Sequence, residues 1–151
     1  LKHLDFLGFF IAIMYGFGWG NPVPISTFSY KDRKKGVVLT YTTPIIINLI
    51  VGLIIGFIAK LLFQLYGFSQ YGYAILKGLA YSNISVAVFN LIPIYPLSAH
   101  AILEVFLSPR NKITYTNIRS FLQLLLLILI FLGPAATVVN MVSNFILGLV
   151  L

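Results

Sequence analysis

The sequence predicts an all-α integral membrane protein with about four transmembrane helices and one extended, proline-rich segment that re-enters the membrane. Two observations carry that expectation. Of the 151 residues, 60% are apolar and 9% are charged, with a mean hydropathy of +1.00; a soluble domain of this size needs more polar side chains than that to cover its surface. The charges are also confined to short stretches between long uncharged runs, as in membrane proteins. This excludes an ordinary cytosolic enzyme, a disordered tail and a nucleic-acid module, despite a formal net charge of +7. With no cysteine, disulfide scaffolds and thiolate metal sites are excluded as well.

The elements follow from the uncharged runs. Residues 6–30, 36–59, 61–76, 78–103 and 120–151 contain no Asp, Glu, Lys or Arg. A helix crosses the hydrocarbon in roughly 20 residues. Residues 37–59 fit one span, extendable to Tyr66 if Lys60 snorkels. Residues 72–92 fit a second. The last run is too long for one span, and Gly133-Pro134 divides it, because glycine ends a helix well and proline cannot continue one. A hairpin of about 116–132 and 135–151 is expected. Residues 6–18 are apolar but short, with glycine at 8, 16 and 18, and suit a re-entrant piece or the end of a span. The whole chain reads as one membrane domain.

The loops give orientation. Lys31, Arg33, Lys34 and Lys35 form one basic cluster, and Arg110, Lys112 and Arg119 another. Two spans separate them, so both face one side, which is the cytoplasm by the positive-inside rule. Membrane lipid and other membrane-protein subunits or a transmembrane segment are the expected partners, with no role for nucleic acid.

Two stretches do not read as simple spans. In Gly18-Trp19-Gly20-Asn21-Pro22-Val23-Pro24, prolines two apart enforce extended backbone between flexible glycines. Such backbone at membrane depth must be buried or line a wet cavity. It is either an interfacial loop anchored by Trp19 or a strand beside a groove that pairs with an unwound peptide. In residues 90–100, Asn90 ends a span, Pro93 and Pro96 break the helix, and a short helix opens at about 98–107 with Ser98 as a plausible N-cap. Asn90 either bonds to neighbouring backbone or serves a binding role.

These stretches carry a resemblance. FNLIPIYPLSAHAIL over residues 89–103 resembles the FNLIPIPPLDGxxIL motif of the site-2 proteases, the intramembrane zinc metalloproteases. LKHLDFLG over 1–8 and GFGWGNPVPI over 16–25 are similar to the LKHIDPLG and GFGWAKPVPV of short bacterial members. The basic run ending at Gly36, followed by Pro44 and Asn48, occupies the place of an RRG…AGPxxN segment, and NISVAVF over 83–89 also matches. The resemblance covers essentially the whole chain, in order, and implies the family's core helices and substrate groove, in the bacterial plasma membrane.

The family's chemistry needs three protein ligands to zinc, an open position for water and a general base. The resemblance implies two histidines and the glutamate from an HExxH helix, with an aspartate from the PLDG motif as third ligand. This chain contains no HExxH; the catalytic helix belongs upstream of Leu1. Ser98 stands at the aspartate position and Ala99 at the glycine, and a neutral hydroxyl is a poor zinc ligand. His100 and Glu104, four apart on one helical face, are the remaining metal candidates, though their spacing also suits a local hydrogen bond. His3 with Asp5 suits the interface.

Three readings follow. One is a site-2-protease-like scaffold without proteolysis or cofactor, acting as an adaptor or complex subunit. In it Asn21, Pro22, Pro24, Asn48, Asn90, Pro93 and Pro96 hold a partner's transmembrane or extended segment. Another is an active zinc metalloprotease with HExxH upstream of Leu1. The third is a small transporter or channel subunit, for which Lys60, Lys77 and Glu104 are the intramembrane ionisable candidates.

Overall fold

A computed structural model describes residues 4–21, 25–26, 30–67 and 69–151. His3, Pro22 and Pro24 lie outside the described residues. The described chain is helical, in the order α1 (Phe6–Tyr15), α2 (Arg33–Tyr66), α3 (Gln70–Phe89), α4 (Ser98–Phe106), α5 (Pro109–Phe131) and α6 (Pro134–Gly148).

The helix ends follow local chemistry. Asp5 caps α1 by accepting from the Gly8 N–H at 2.8 Å, and Asp32 caps α2 by accepting from the Lys34 and Lys35 N–H groups. Ser69 and Ser108 cap α3 and α5 in the same way. Gly16 and Gly67 close α1 and α2 at φ 78° and 60°, backbone that costs an L side chain strain. Gly133, at φ 101°, turns the chain from α5 into Pro134 at the start of α6. The hairpin at Gly133-Pro134 thus forms where it is expected. α5 begins at Pro109 rather than near residue 116, because Ser108 and Pro109 make a ready helix start. The apolar piece at residues 6–18 contains a ten-residue helix, α1.

Two helices among the described residues, α2 and α5, are long and apolar enough to cross a membrane. Only 22% and 11% of their most apolar windows are buried within the protein. A core helix of a soluble protein would be buried; these present Leu, Ile and Phe outward, as membrane helices do. Of the other two expected spans, α3 has 20 residues and α6 has 15. The latter is short of the roughly 20 that cross a bilayer.

Helix α2 packs chiefly on α3, with α4 laid across α2 and α6 against α3. The α2–α3 contact is close because of two glycines a turn apart. A Cβ on Gly52 would come within 2.6 Å of Ile84 and 2.9 Å of the Ala80 carbonyl; one on Gly56 would meet Leu147 of α6 at 3.1 Å. Small residues let helix backbones approach where lipid offers no hydrophobic drive for association. A hydrogen bond from the Tyr81 hydroxyl to Asn140 Oδ1, 2.5 Å, ties α3 to α6. Pro44 sits inside α2 without ending it, and the neighbouring Thr40 and Thr43 hydroxyls bond back to the Gly36 and Leu39 carbonyls.

A second core joins α1, the end of α3 and the α5–α6 hairpin around Ile11, Phe17, Phe89, Leu97 and Ile130. Residues 17–21 run beside α1 with neither helix nor sheet pairing. Gly8 and Gly18 permit this: a Cβ on Gly8 would lie 2.0 Å from the Trp19 carbonyl oxygen, and one on Gly18 would lie 2.1 Å from that of Gly8. The Trp19 ring stacks on Phe89 at 6.1 Å, and its indole nitrogen is buried without a partner among the described residues. The Trp19 side chain is half-buried, with one face of its ring against Phe89.

Candidate functional site

The end of α3 and the start of α4 are locked together across the Pro93–Pro96 turn. The Asn90 amide donates to the Val86 carbonyl at 2.9 Å. Its Oδ1 accepts from both the Ser98 N–H and the Ser98 hydroxyl, each at 3.2 Å, while the Asn90 carbonyl accepts from the Ala99 N–H at 3.0 Å. Ser98 does not cap α4. Leu97 holds the N-cap position and makes no side-chain cap bond, because the Ser98 hydroxyl is committed backwards to Asn90. Asn90 thus supplies the acceptors for two backbone N–H groups, those of Ser98 and Ala99, in an apolar setting where each unmade bond is costly.

Beyond the turn lies a polar and aromatic cluster between α4 and α5. His100 is buried, at 7% exposure. Its Nδ1 is 3.2 Å from the Tyr115 hydroxyl, which donates to the Pro93 carbonyl. Which partner donates between His100 Nδ1 and the Tyr115 hydroxyl follows from the ring tautomer. Nε2 lies 3.7 Å from Glu104 Oε1, and the other Glu104 oxygen lies 3.5 Å from Lys112 Nζ. The Arg119 guanidinium sits over the Tyr95 ring at 3.1 Å, and Tyr95 meets the His100 ring edge-on. Burial pushes the His100 pKa below its ordinary 6.5; Glu104 opposes the shift, while Arg119 and Lys112 reinforce it.

The turn also borders an apolar groove of about 610 Å³, with walls that include Val88, Leu91, Pro93, Leu129, Val138 and Val142. A groove of this size and character suits hydrophobic side chains.

The residues singled out by sequence are distributed unevenly around these features. Pro93 lines the groove. Asn48, Asn90 and Pro96 are not among its lining residues. Asn48 is half-buried on α2 and makes no hydrogen bond among the described residues. The Gly52–Ile84 contact puts it on the side of α2 nearer the end of α3, about one turn from that glycine. The Asn21 amide donates to the Leu4 carbonyl at 3.2 Å. Tyr115 and Arg119, which complete the His100 cluster, were missed as a group; their aromatic and cationic character was visible, but their spacing to Tyr95 and His100 depends on how α5 folds back.

The resemblance implies zinc, and the donor set can be tested against it. Among the described residues no three His, Cys, Asp or Glu side chains group closely enough to hold a metal ion. His100 and Glu104 do approach one another, but their further neighbours are Tyr115 and a lysine ammonium. The Ser98 hydroxyl offers no carboxylate charge and is bonded to Asn90. The described residues do not by themselves fit zinc.

Comparison with known proteins gives one informative match. Over 143 residues, the chain is 33% identical to a protein of Bacillus subtilis (strain 168) described as "Putative zinc metalloprotease YwhC". The chain is a distant homologue of that protein. The match takes in 88% of this chain and 64% of the relative, so the chain spans less than two thirds of the relative's length. No family model matches the chain, and no solved structure matches it.

Proposed function

We propose that this chain is a site-2-protease-like membrane protein that has lost proteolysis and serves as an adaptor or complex subunit, holding a hydrophobic segment of a partner. The observation that carries the reading is at Ser98. The position where the resemblance calls for a zinc-binding aspartate holds a hydroxyl, and that hydroxyl is engaged with Asn90. The apolar groove beside Pro93 supports the retained binding role, and homology to a protein described as a zinc metalloprotease supports the family. Asn48 is the polar group left over to bond an unwound partner backbone, and Asn21 with Pro22 and Pro24 would flank it.

The membrane is the bacterial plasma membrane, crossed by α2, α3 and α5, with α6 as the short returning arm of the α5–α6 hairpin and with residues 31–35 and 110–119 on the cytoplasmic face. Arg33, Lys34 and Lys112 line one cavity, which supports a common side for the two clusters. The chain has no cysteine, so single cysteines introduced there report sidedness directly.

The test is photo-crosslinking from Leu91 and Val138 in the complete protein in its native membrane. A discrete, uncleaved membrane partner is the expected result. Recovery of lipid alone, or of cleavage fragments, would overturn the adaptor reading.

A second reading is an active zinc metalloprotease with HExxH upstream of Leu1, favoured by what the relative is described as. It requires a ligand other than Ser98, and stoichiometric zinc distinguishes it from the first.

A further inference from the structure

We propose that the basic end of α2, together with α4 and the start of α5, forms a site for one anionic phospholipid; this goes beyond the adaptor reading and rests only on the chain's being a membrane protein. Two cavities adjoin there and share Lys34. One, of about 220 Å³, is lined by Arg33, Lys34, Glu104, Val105 and Lys112. The other, of about 390 Å³, is lined by Lys34, Lys35, Val38, Leu39 and Phe106. The first is a polar chamber with three cations against one carboxylate. The second is an apolar slot, with Leu39 and Phe106 64–66% exposed at its wall.

Two of the three cations of the polar chamber, Arg33 and Lys34, are not otherwise used. Glu104 is 3.5 Å from Lys112, and Asp32 takes Lys35 at 3.9 Å. The Arg33 and Lys34 side chains have no hydrogen bond or ion pair among the described residues. Two helices also begin here, since Arg33 opens α2 and Lys112 lies in the first turn of α5; their N–H ends add positive potential. An anionic head followed by an apolar tail matches a charged chamber and an apolar slot that share Lys34 in their walls. A free phosphate would leave the slot empty, and a zwitterionic lipid would leave the excess charge unbalanced. The phosphate is held by Arg33, Lys34 and Lys112, and an acyl chain lies along Val38, Leu39 and Phe106.

The test uses the complete protein in nanodiscs of phosphatidylcholine with increasing phosphatidylglycerol, with bound lipid counted by native mass spectrometry. Wild type should retain phosphatidylglycerol in preference to phosphatidylcholine. Each of R33Q, K34Q and K112Q should lower that preference about fivefold. The control K31Q/K77Q/R110Q removes three charges outside both cavities and should leave the preference in place. Equal losses in the control and in R33Q/K34Q/K112Q would reduce the effect to general charge attraction and overturn the site. A phosphatidylglycerol carrying a photoreactive acyl chain, used on wild type alone, should label the Val38–Leu39 and Phe106 peptides; labelling spread evenly over the helices would also overturn it. Inorganic phosphate competing as well as the lipid would mean that the slot plays no part, which is likewise against the proposal.

Discussion

Asn90 and Ser98 are joined twice: one amide oxygen accepts both the backbone N–H and the hydroxyl of Ser98, each at 3.2 Å. That oxygen takes the only polar side-chain group Ser98 has. It also holds α4 at a fixed start, eight residues beyond Asn90. The local fold of the proline turn depends on this pair.

Replacing Asn90 by alanine removes the side-chain bonds to Val86 and Ser98 and leaves the part-buried Ser98 N–H without its acceptor, while the Val86 carbonyl keeps the bond from the residue 90 N–H. A loss of about 1–3 kcal/mol is expected, read as a lower Tm by circular dichroism in detergent. Asn90→Asp keeps the acceptor for Ser98 and loses only the donor to Val86, so it should fall between the two.

The α2–α3 seam should be intolerant of side chains. Gly52→Ala puts a Cβ within 2.9 Å of the Ala80 carbonyl, and overpacking of this kind costs about 1–3 kcal/mol. Gly78 on α3 has open space around it, so Gly78→Ala should leave stability unchanged or slightly raised. Thermal unfolding of the two variants side by side checks the contrast.

His100 makes stability depend on pH in a defined direction. Its folded pKa lies below 6.5, chiefly through burial, so the unfolded chain binds the proton first as pH falls. The contribution is complete above 6.5 and is lost as pH falls from there through the folded value. Tm should therefore drop from pH 8 to pH 5, and His100→Gln should flatten that drop. A Tm that rises on acidification would contradict the assignment.

Trp19 is the single tryptophan, which makes the α1 seam observable. Gly8→Val should push the Trp19 backbone away from α1, break the stacking on Phe89 and change the fluorescence emission. An unchanged spectrum would mean that the close approach of Gly8 to Trp19 is not maintained.

Much of this architecture was legible because its signals are local. The uncharged run over 36–59, extended past Lys60 to Tyr66, marks α2, and Gly133-Pro134 marks the hairpin. Asp5 and Gly16 bracket α1 as cap residues, yet their apolar interval was too short to stand out as a helix. The early start of α5 was written in Ser108-Pro109 but masked by the charges that follow. The Gly52–Ile84 contact and the Tyr81–Asn140 bond join distant parts of the chain, and no local pattern announces them. At the site, Ser98 was recognisable as a departure from a motif. Its bond to Asn90 was not, because the Pro93–Pro96 turn decides which groups meet.

The proposed scaffold holds no catalytic zinc. The most direct test is zinc per chain, by plasma mass spectrometry, on the complete native protein purified without metal-affinity resin. The account predicts a content far below one zinc per chain. About one zinc per chain would contradict it and would mean that another group stands in for the carboxylate absent at Ser98.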